Sequence, residues 1–418
     1  MILWERASRM PKNSLTIIFI IYSIIMIELK NFVSKVLHKN DSYCILTYID
    51  VDDLWSNEKI VSFMNEIIDK NAILKQTIIE KDNLLYLDEV KSFQLTDYYT
   101  IEYTDKANFN NYISTLLNTE FMTDSKWKFL WCVDKEANKM RYYFKIHHAY
   151  ADGYKVIEIL TSPEKEQTNI TEKFKRSSAG STLLSKCIGF FLLLLLNIRV
   201  FINILFNKNT NGKERSIGTD YIICNSFKFD EIKIFTKANK LTVNDFLYAL
   251  MIKADRLYKN EERIITTCSP INVSGRNNTN NMCPIFNRIN NGHDNSTLLK
   301  KINTTFNHFK NSLFIPVLSW LINTFTPYIS LEILTLFYDS IANNSDYTFS
   351  NIIGPSIKEY KLEDIHFLTS PKNNEIVYNI ISSGNNVNII CSFKEGLITD
   401  KARFEQCIYD AYDSLMRS

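Results

Sequence analysis

In the stretch MRYYFKIHHAYADGYKVIEIL, Met140 to Leu160, one hydrophobic period gives way to another within a few residues. Side chains alternate in the manner of a strand from Lys139 to Ile146, two adjacent histidines follow, and the run breaks at Asp152-Gly153. Tyr154, Ile157 and Leu160 then recur at helical spacing. The chain must therefore pass from a strand through a tight turn into a helix, and that turn carries two of its six histidines. Successive strand side chains face opposite sides. Tyr142, Phe144, Ile146 and His148 are thus expected to share an apolar face that looks into the core or a tunnel, and Arg141, Tyr143, Lys145 and His147 to share the other.

Two readings of the pair stay open on these residues alone. His148 can be an ordinary core histidine and Asp152 an ordinary N-cap, since Asp before a helical pattern is a common helix start. Or His148, on the apolar face, is placed for chemistry in a dry site. No metal is expected, because His148 and Asp152 have no identifiable third ligand among His38, His293, His308 and His366, and nothing resembles HExxH.

With 418 residues there is room for two domains, each with its own core. Forty-eight basic against 46 acidic side chains leave a formal charge of +2, too little for the basic footprint of phosphate-backbone binding, so no nucleic acid partner is expected. The eight cysteines lie far apart without a CxxC pair and read as reduced core thiols. Two apolar stretches suggest membrane association. SLTIIFIIYSIIMIEL, Ser14 to Leu29, follows Arg6, Arg9 and Lys12 like a signal anchor, but approaches the about 20 residues of a span only by including Glu28 and Lys30. CIGFFLLLLLNIRVFINILF, Cys187 to Phe206, is long enough yet carries Asn197, Arg199 and Asn203. It reads as an interfacial or re-entrant helix as readily as a span or a core helix.

The organisation expected is an N-terminal hydrophobic segment over 1–35, a first subdomain over 36–165, a linker with a hydrophobic helix over 166–215, and a second subdomain over 216–418. Tyr43 to Asp50 alternates as a strand, and Asn57 to Lys70 has helical spacing. Past Gly212 a strand is expected near Tyr221 to Phe229, a helix from about Val243, a strand through Ile264 to Thr267, and helical segments up to Ile341, after which the tail returns to strands. EIVYNIISSGNNVNIICSF reads as a hairpin turning at Ser383-Gly384-Asn385-Asn386. Strands and helices mix without strict alternation, which indicates an α+β sandwich.

HHAYADG resembles the HHxxxDG motif of the CoA-dependent acyltransferase superfamily, which includes chloramphenicol acetyltransferases, peptide-synthetase condensation domains and the wax ester synthase/diacylglycerol acyltransferase family. Further segments are similar in the same order. FMTDSKWKFLW keeps only Trp127 of a Pro-Leu-Trp core, and LTVNDFLYALMIKADRLY places Asn244 and Asp245 where the family has Asn-Asp at a helix start. ITTCSPINVSG resembles the Pro-Val-Ser strand, with Ser274 at the usual Arg position and Arg276 two places later. FSNIIGP resembles Ser-Asn-Val-Pro-Gly-Pro and departs at Ile352 and Ile353. The resemblance runs from about Tyr43 to the C-terminus and is closest to the wax ester synthase/diacylglycerol acyltransferase branch.

The resemblance implies two chloramphenicol-acetyltransferase-like α/β sandwich domains with the active site at their interface. It implies transfer of a fatty acyl group from acyl-CoA to a long-chain alcohol or diacylglycerol, with no cofactor beyond acyl-CoA as substrate. It makes His148 the general base, with His147 holding the turn, Asp152 orienting it through an arginine, Gly153 leaving the path to the base open, and Asn244 and Asp245 in support. A membrane-associated protein at the endoplasmic reticulum or a lipid droplet is expected, with its catalytic domains in the cytosol, because long-chain acyl-CoA is supplied there and both apolar stretches are available as anchors. The alternatives are a non-catalytic lipid-binding relative and an acyltransferase with a non-lipid acceptor.

Overall fold

The alternating runs become strands and the runs of helical spacing become helices. A computed structural model describes residues 27–28, 37–38, 43–51, 53–81, 84–161, 218–272, 282–311, 329–330, 332, 334–335, 345–354, 362–371 and 376–418. The first half contains β1 (Ile27–Glu28), β2 (Cys44–Val51), α1 (Asn57–Lys70), β3 (Gln76–Lys81), β4 (Leu84–Glu89), β5 (Tyr99–Tyr103), α2 (Asn111–Asn118), β6 (Trp127–Asp134), β7 (Lys139–His147) and α3 (Gly153–Thr161). The second half contains β8 (Thr219–Lys228), α4 (Phe229–Ala238), α5 (Val243–Lys259), β9 (Ile264–Asn272), β10 (Met282–Asn290), α6 (Asn295–Asn311), β11 (Tyr347–Ile353), β12 (Leu362–Thr369), β13 (Ile376–Ser383), β14 (Asn386–Lys394) and α7 (Lys401–Met416). Both apolar stretches lie almost wholly outside the described residues. Ile27–Glu28, at the end of the first, pairs with β4 as a strand. No described helix is long and apolar enough to cross a membrane.

Local chemistry explains these elements. Ser56 caps α1 by accepting from the Lys59 N–H at 3.3 Å, and Ile60, Met64, Ile67 and Ile68 form its buried stripe. The β13–β14 hairpin turns at Gly384, whose φ of 57° suits a residue without a side chain. The tail does not stay in strands. It ends in α7, which Asp400 caps through the Arg403 N–H at 2.9 Å and which buries Phe404, Cys407, Ile408, Ala411 and Leu415. That spacing is helical, and it begins only after the last strand has ended. The cysteines with described side chains are free thiols, and burial pushes the Cys132 and Cys268 thiols up to about 12.

One sheet has the order β12-β2-β7-β6-β5 and another the order β10-β9-β11-β13-β14-β8, with a smaller β1-β4-β3 sheet beside them. Most pairs are antiparallel, but β11 runs parallel to both β9 and β13, and β5 parallel to β6. β12 belongs by sequence to the second half, yet pairs with β2 along the first sheet, with His366 opposite Tyr48. Side-chain bonds then join β12 back to its own half. Thr369 Oγ1 donates to Asn379 Oδ1 at 3.0 Å, and Asn388 Nδ2 donates to the Ile365 carbonyl at 3.0 Å.

The entrance of β11 is fastened by a half-buried ionic knot. Arg263 donates from Nη1 to Asp346 Oδ1 at 2.9 Å and from Nη2 to the Tyr347 hydroxyl at 2.8 Å, and that hydroxyl donates to Asp255. Asp346 Oδ2 also accepts from the Thr266 N–H at 2.7 Å, which ties β11 to β9. Removing the cation would leave the part-exposed Asp346 without its ion-pair partner and the buried Asp255 with Lys259 at 3.5 Å. Arg263→Met is therefore expected to lower unfolding stability by about 1–2 kcal/mol, the cost of losing charge-assisted hydrogen bonds from a part-exposed cation. A urea midpoint within experimental error of the parent, at unchanged slope, would show that the knot carries no such weight.

Candidate active site

Strand β7 ends at His147, and the HHAYADG segment forms the turn into α3. The Tyr150 N–H donates to the His147 carbonyl at 3.0 Å, which closes the turn. The His147 side chain is fully buried. Its Nδ1 accepts from the Ala149 N–H at 3.2 Å, so the neutral ring carries its proton on Nε2. The edges of Phe121 and Tyr150 pack on it at centroid distances of 6.0 and 6.4 Å. His148 lies in the turn proper, half-buried, with its backbone N–H donating to the Tyr43 carbonyl at 2.8 Å.

Of the two surroundings expected for the apolar face, core or tunnel, the core is found up to Ile146. Tyr142, Phe144 and Ile146 are buried in the packed core of the first half, so their face is filled and is not a channel wall. The face ends at Ile146 because of the turn itself: side-chain alternation holds only while the backbone stays extended, and it stops at His147.

Asp152 does what its position before a helix suggests. It is buried, and its Oδ1 accepts from the Lys155 N–H at 2.8 Å as the cap of α3. Ser274 and Arg276 of the ITTCSPINVSG segment lie outside the described residues. Trp127 is a core residue whose Nε1 donates to the Leu74 carbonyl at 2.7 Å and whose ring stacks on Tyr98 at 4.5 Å.

The two best motif matches meet in space. A Cβ placed on Gly153 would stand 2.1 Å from Cδ1 of Ile352 and 3.8 Å from Phe367, so the start of α3 rests directly on β11 and β12. Gly354 is equally constrained, because a Cβ there would come within 2.9 Å of the Ser382 carbonyl oxygen, to which its own N–H donates at 2.7 Å. Ile352 faces the first-half core, whereas Tyr347 and Phe349 face the second-half core. Asn351, on the latter face, donates from Nδ2 to Asn244 Oδ1 at 3.2 Å. Asn244 thus pairs with the FSNIIGP strand rather than with the histidine turn.

Asp245 is fully buried and completes a capping box with Thr242. The Asp245 N–H donates to Thr242 Oγ1 at 3.2 Å, and Asp245 Oδ2 accepts from the Thr242 N–H at 2.8 Å. Asn303 of α6 donates to the same oxygen at 2.8 Å, which locks α6 against the start of α5.

Sequence reasoning passed over two residues of this region. The Tyr150 hydroxyl accepts from the Ile78 N–H at 3.1 Å and anchors the turn to β3, and burial pushes it up to about 12. It occupies a variable position of the motif, so no pattern marks it. Lys145 is buried, donates to the Thr119 carbonyl and lies 4.4 Å over the Phe121 ring, and burial lowers its ammonium below the ordinary range. Its place two residues before His147 on one strand face was the available signal.

Residues 282–416 match the family model WS/DGAT C-terminal domain. No curated protein matches the chain in sequence. Among solved structures it is similar to the wax ester synthase/diacylglycerol acyltransferase from Marinobacter aquaeolei VT8, at 13% identity over 89% of this chain and 93% of that one, with a TM-score of 0.58. It is also similar to the trichothecene 15-O-acetyltransferase from Fusarium sporotrichioides, at 11% identity over 94% and 95%, with a TM-score of 0.62. A third is a variant of the starter condensation domain of rhizomide synthetase in complex with C8-CoA, at 10% identity over 93% of each chain, with a TM-score of 0.57. At these identities the structural likenesses establish the fold, a two-domain acyltransferase-type α/β sandwich. With the family match over 282–416 they bear out the resemblance carried by the motifs.

The Gly153–Ile352 contact can be tested by a double-mutant cycle. Gly153→Ala forces the end of Ile352 aside and is expected to cost about 1–3 kcal/mol, as overpacking does. Combined with Ile352→Ala, the loss should be smaller than the sum of the two single losses by about 1 kcal/mol or more. Strict additivity of the thermal and urea midpoints would mean that the two motifs do not touch.

Proposed function

We propose that this chain is an O-acyltransferase that moves a fatty acyl group from acyl-CoA to a long-chain alcohol or a diacylglycerol, forming a wax ester or a triacylglycerol. The observation that carries the reading is the packing of the HHAYADG turn on the FSNIIGP strand at Gly153 and Ile352, the second motif lying within the segment that matches the WS/DGAT family. These two segments thereby meet where the two halves touch, which supports a site there.

His148 acts as the general base. An alcohol is almost un-ionised at neutral pH, so the imidazole takes its proton while the oxygen attacks the thioester carbonyl carbon. The tetrahedral intermediate collapses with loss of the C–S bond, and the imidazolium returns the proton to the departing thiolate. Both substrates are bound at once, and no acyl-enzyme forms. His147, buried and bonded at Nδ1, holds the turn that presents His148. Asp152 keeps α3 capped so that the turn cannot unwind.

With labelled palmitoyl-CoA and hexadecanol, His148→Ala is expected to keep the parent's melting temperature and to lose kcat/KM by on the order of 10²-fold or more. His147→Ala should act first on stability, because it empties a buried site. Equal and mild losses from both substitutions would remove His148 as the base.

A lipid acceptor adds a second expectation. Each buried methylene contributes about 0.8 kcal/mol, so kcat/KM should rise along an alcohol series from four to eighteen carbons at fixed acyl-CoA. A flat profile, or a preference for an amine, would overturn the lipid acceptor and leave acyl transfer in place.

A further inference from the structure

The two imidazoles of the turn differ in what surrounds them. His148 lies past the end of β7 and is half-buried, whereas His147 is fully buried on a strand face that also carries Lys145. Two strand steps separate these neighbours, roughly 6.6 Å between their Cα atoms. Lys145 is itself only 3% exposed. Its Nζ donates to the Thr119 carbonyl at 2.5 Å and stands 4.4 Å over the ring of Phe121. The same ring packs against His147 at 6.0 Å, so one phenylalanine touches both the buried ammonium and the buried imidazole.

Other groups act on this pair from the elements around it. Cys44 of β2 stands opposite His147 in the ladder, the Tyr150 ring packs on the imidazole at 6.4 Å, and the Lys126 carbonyl accepts from the His147 N–H at 2.8 Å. Lys128 of β6 stands opposite Lys145 and opposes its charge, while Cys44 and Glu120 favour it. Lys128 and Glu120 are exposed, so water screens them. Asp152, the buried carboxylate of the turn, is engaged by the Lys155 N–H. Burial lowers the Lys145 ammonium from the ordinary lysine range, and the Thr119 carbonyl and the Phe121 ring work against that by favouring the charged form.

Two features of this arrangement oppose a second proton on His147. The Ala149 N–H donates to its Nδ1 at 3.2 Å, and a proton there would set two N–H groups against each other. A buried cation on the same strand face disfavours another beside it, because neither is well screened. This matters for a base next door: a charge on His147 would weaken the affinity of His148 for the proton it has to accept.

We propose that Lys145 is a positioning residue of the histidine turn, whose ammonium holds His147 in the neutral Nε2–H form so that, of the two adjacent imidazoles, only His148 takes up a proton. The consequence for turnover rests on the proposed acyl transfer, whereas the charge state of His147 does not.

The test follows the ring nitrogens of the full chain by NMR after labelling histidine with ¹⁵N, the His147 signals being those that survive substitution of each of the other five histidines. In the parent protein His147 is expected to keep the neutral Nε2–H pattern down to pH 5.5 while His148 protonates. Lys145→Gln retains a donor for the Thr119 carbonyl but no charge, and should raise the protonation midpoint of His147 by about one pH unit or more, into the measured range. Lys145→Arg keeps the charge and should behave as the parent. The proposal is overturned by a doubly protonated His147 in the parent at pH 6, by a His147 that stays neutral to pH 5.5 in Lys145→Gln, or by Lys145→Arg behaving like Lys145→Gln. Failure of both Lys145→Gln and the isosteric Lys145→Met to fold would mean that the ammonium serves the fold alone, and would overturn it too.

Turnover of palmitoyl-CoA and hexadecanol separates this inference from the acyl-transfer reading. The acidic limb of kcat/KM should have a slope of one in the parent, and in Lys145→Gln should move to higher pH by about one unit and steepen towards two. A loss of packing alone would lower the whole profile without moving the limb. A limb that stays in place while His147 titrates would remove the positioning role. If the ring nitrogens change as expected but no ester forms at any pH, the charge state stands and the acyl-transfer reading falls.

Discussion

The contact between Gly153 and Ile352 is the constraint on which the arrangement of this molecule depends. A Cβ at Gly153 would overlap the Cδ1 end of Ile352, so the first residue of α3 rests on β11 without displacing that side chain because it is glycine. Because β11 turns Ile352 to one core and Phe349 to the other, this contact joins the two halves through a single strand. The position of β11 is in turn held by Arg263, Asp255 and Asp346 at its entrance and by Gly354 on β13 at its exit.

A second set of polar groups holds the sheets in register where apolar contact alone would let them slide. Arg141 grips Asp50 with two hydrogen bonds of 2.7 and 2.9 Å and lies 4.3 Å over the Tyr48 ring. On the other side Tyr48 stacks on His366 at 4.5 Å, and His366 Nε2 lies 3.3 Å from Asp364. Burial by itself would raise the Asp364 carboxyl. The hydrogen bonds from His366, Asn388 and the Ile365 N–H outweigh it and hold the carboxyl below the usual carboxylate range. Asn388 comes from β14, so the network spans both halves. Hydrogen-bonded groups of this kind discriminate strongly between correct and shifted pairings, because a one-step slip leaves every partner unmatched.

Much of this was legible in the sequence, and the reason differs from element to element. The strand before the histidines, α1, the start of α5 and the β13–β14 hairpin each follow from a local period or a local cap. Asn57–Lys70 has the bounds that its spacing suggests, and Thr242-Val243-Asn244-Asp245 forms the capping box that its residue types favour. Asp152 likewise caps its helix. The C-terminal helix departs from the strands expected for the tail, because its buried period of Phe404, Cys407, Ile408, Ala411 and Leu415 starts only past Asp400, after the last strand has ended.

The sequence by itself determined which residue types stand at the turns, caps and periodic faces, since those preferences act over a few residues and need no partner from elsewhere. Tertiary structure alone decided that β12 crosses to pair with β2, that Gly153 meets Ile352, that Asn244 pairs with Asn351, and that the face of Tyr142, Phe144 and Ile146 is filled core. Each of these joins residues distant in the chain, or depends on what such residues pack against. No local period encodes which distant surface will cover a given face, because burial is a property of the pair.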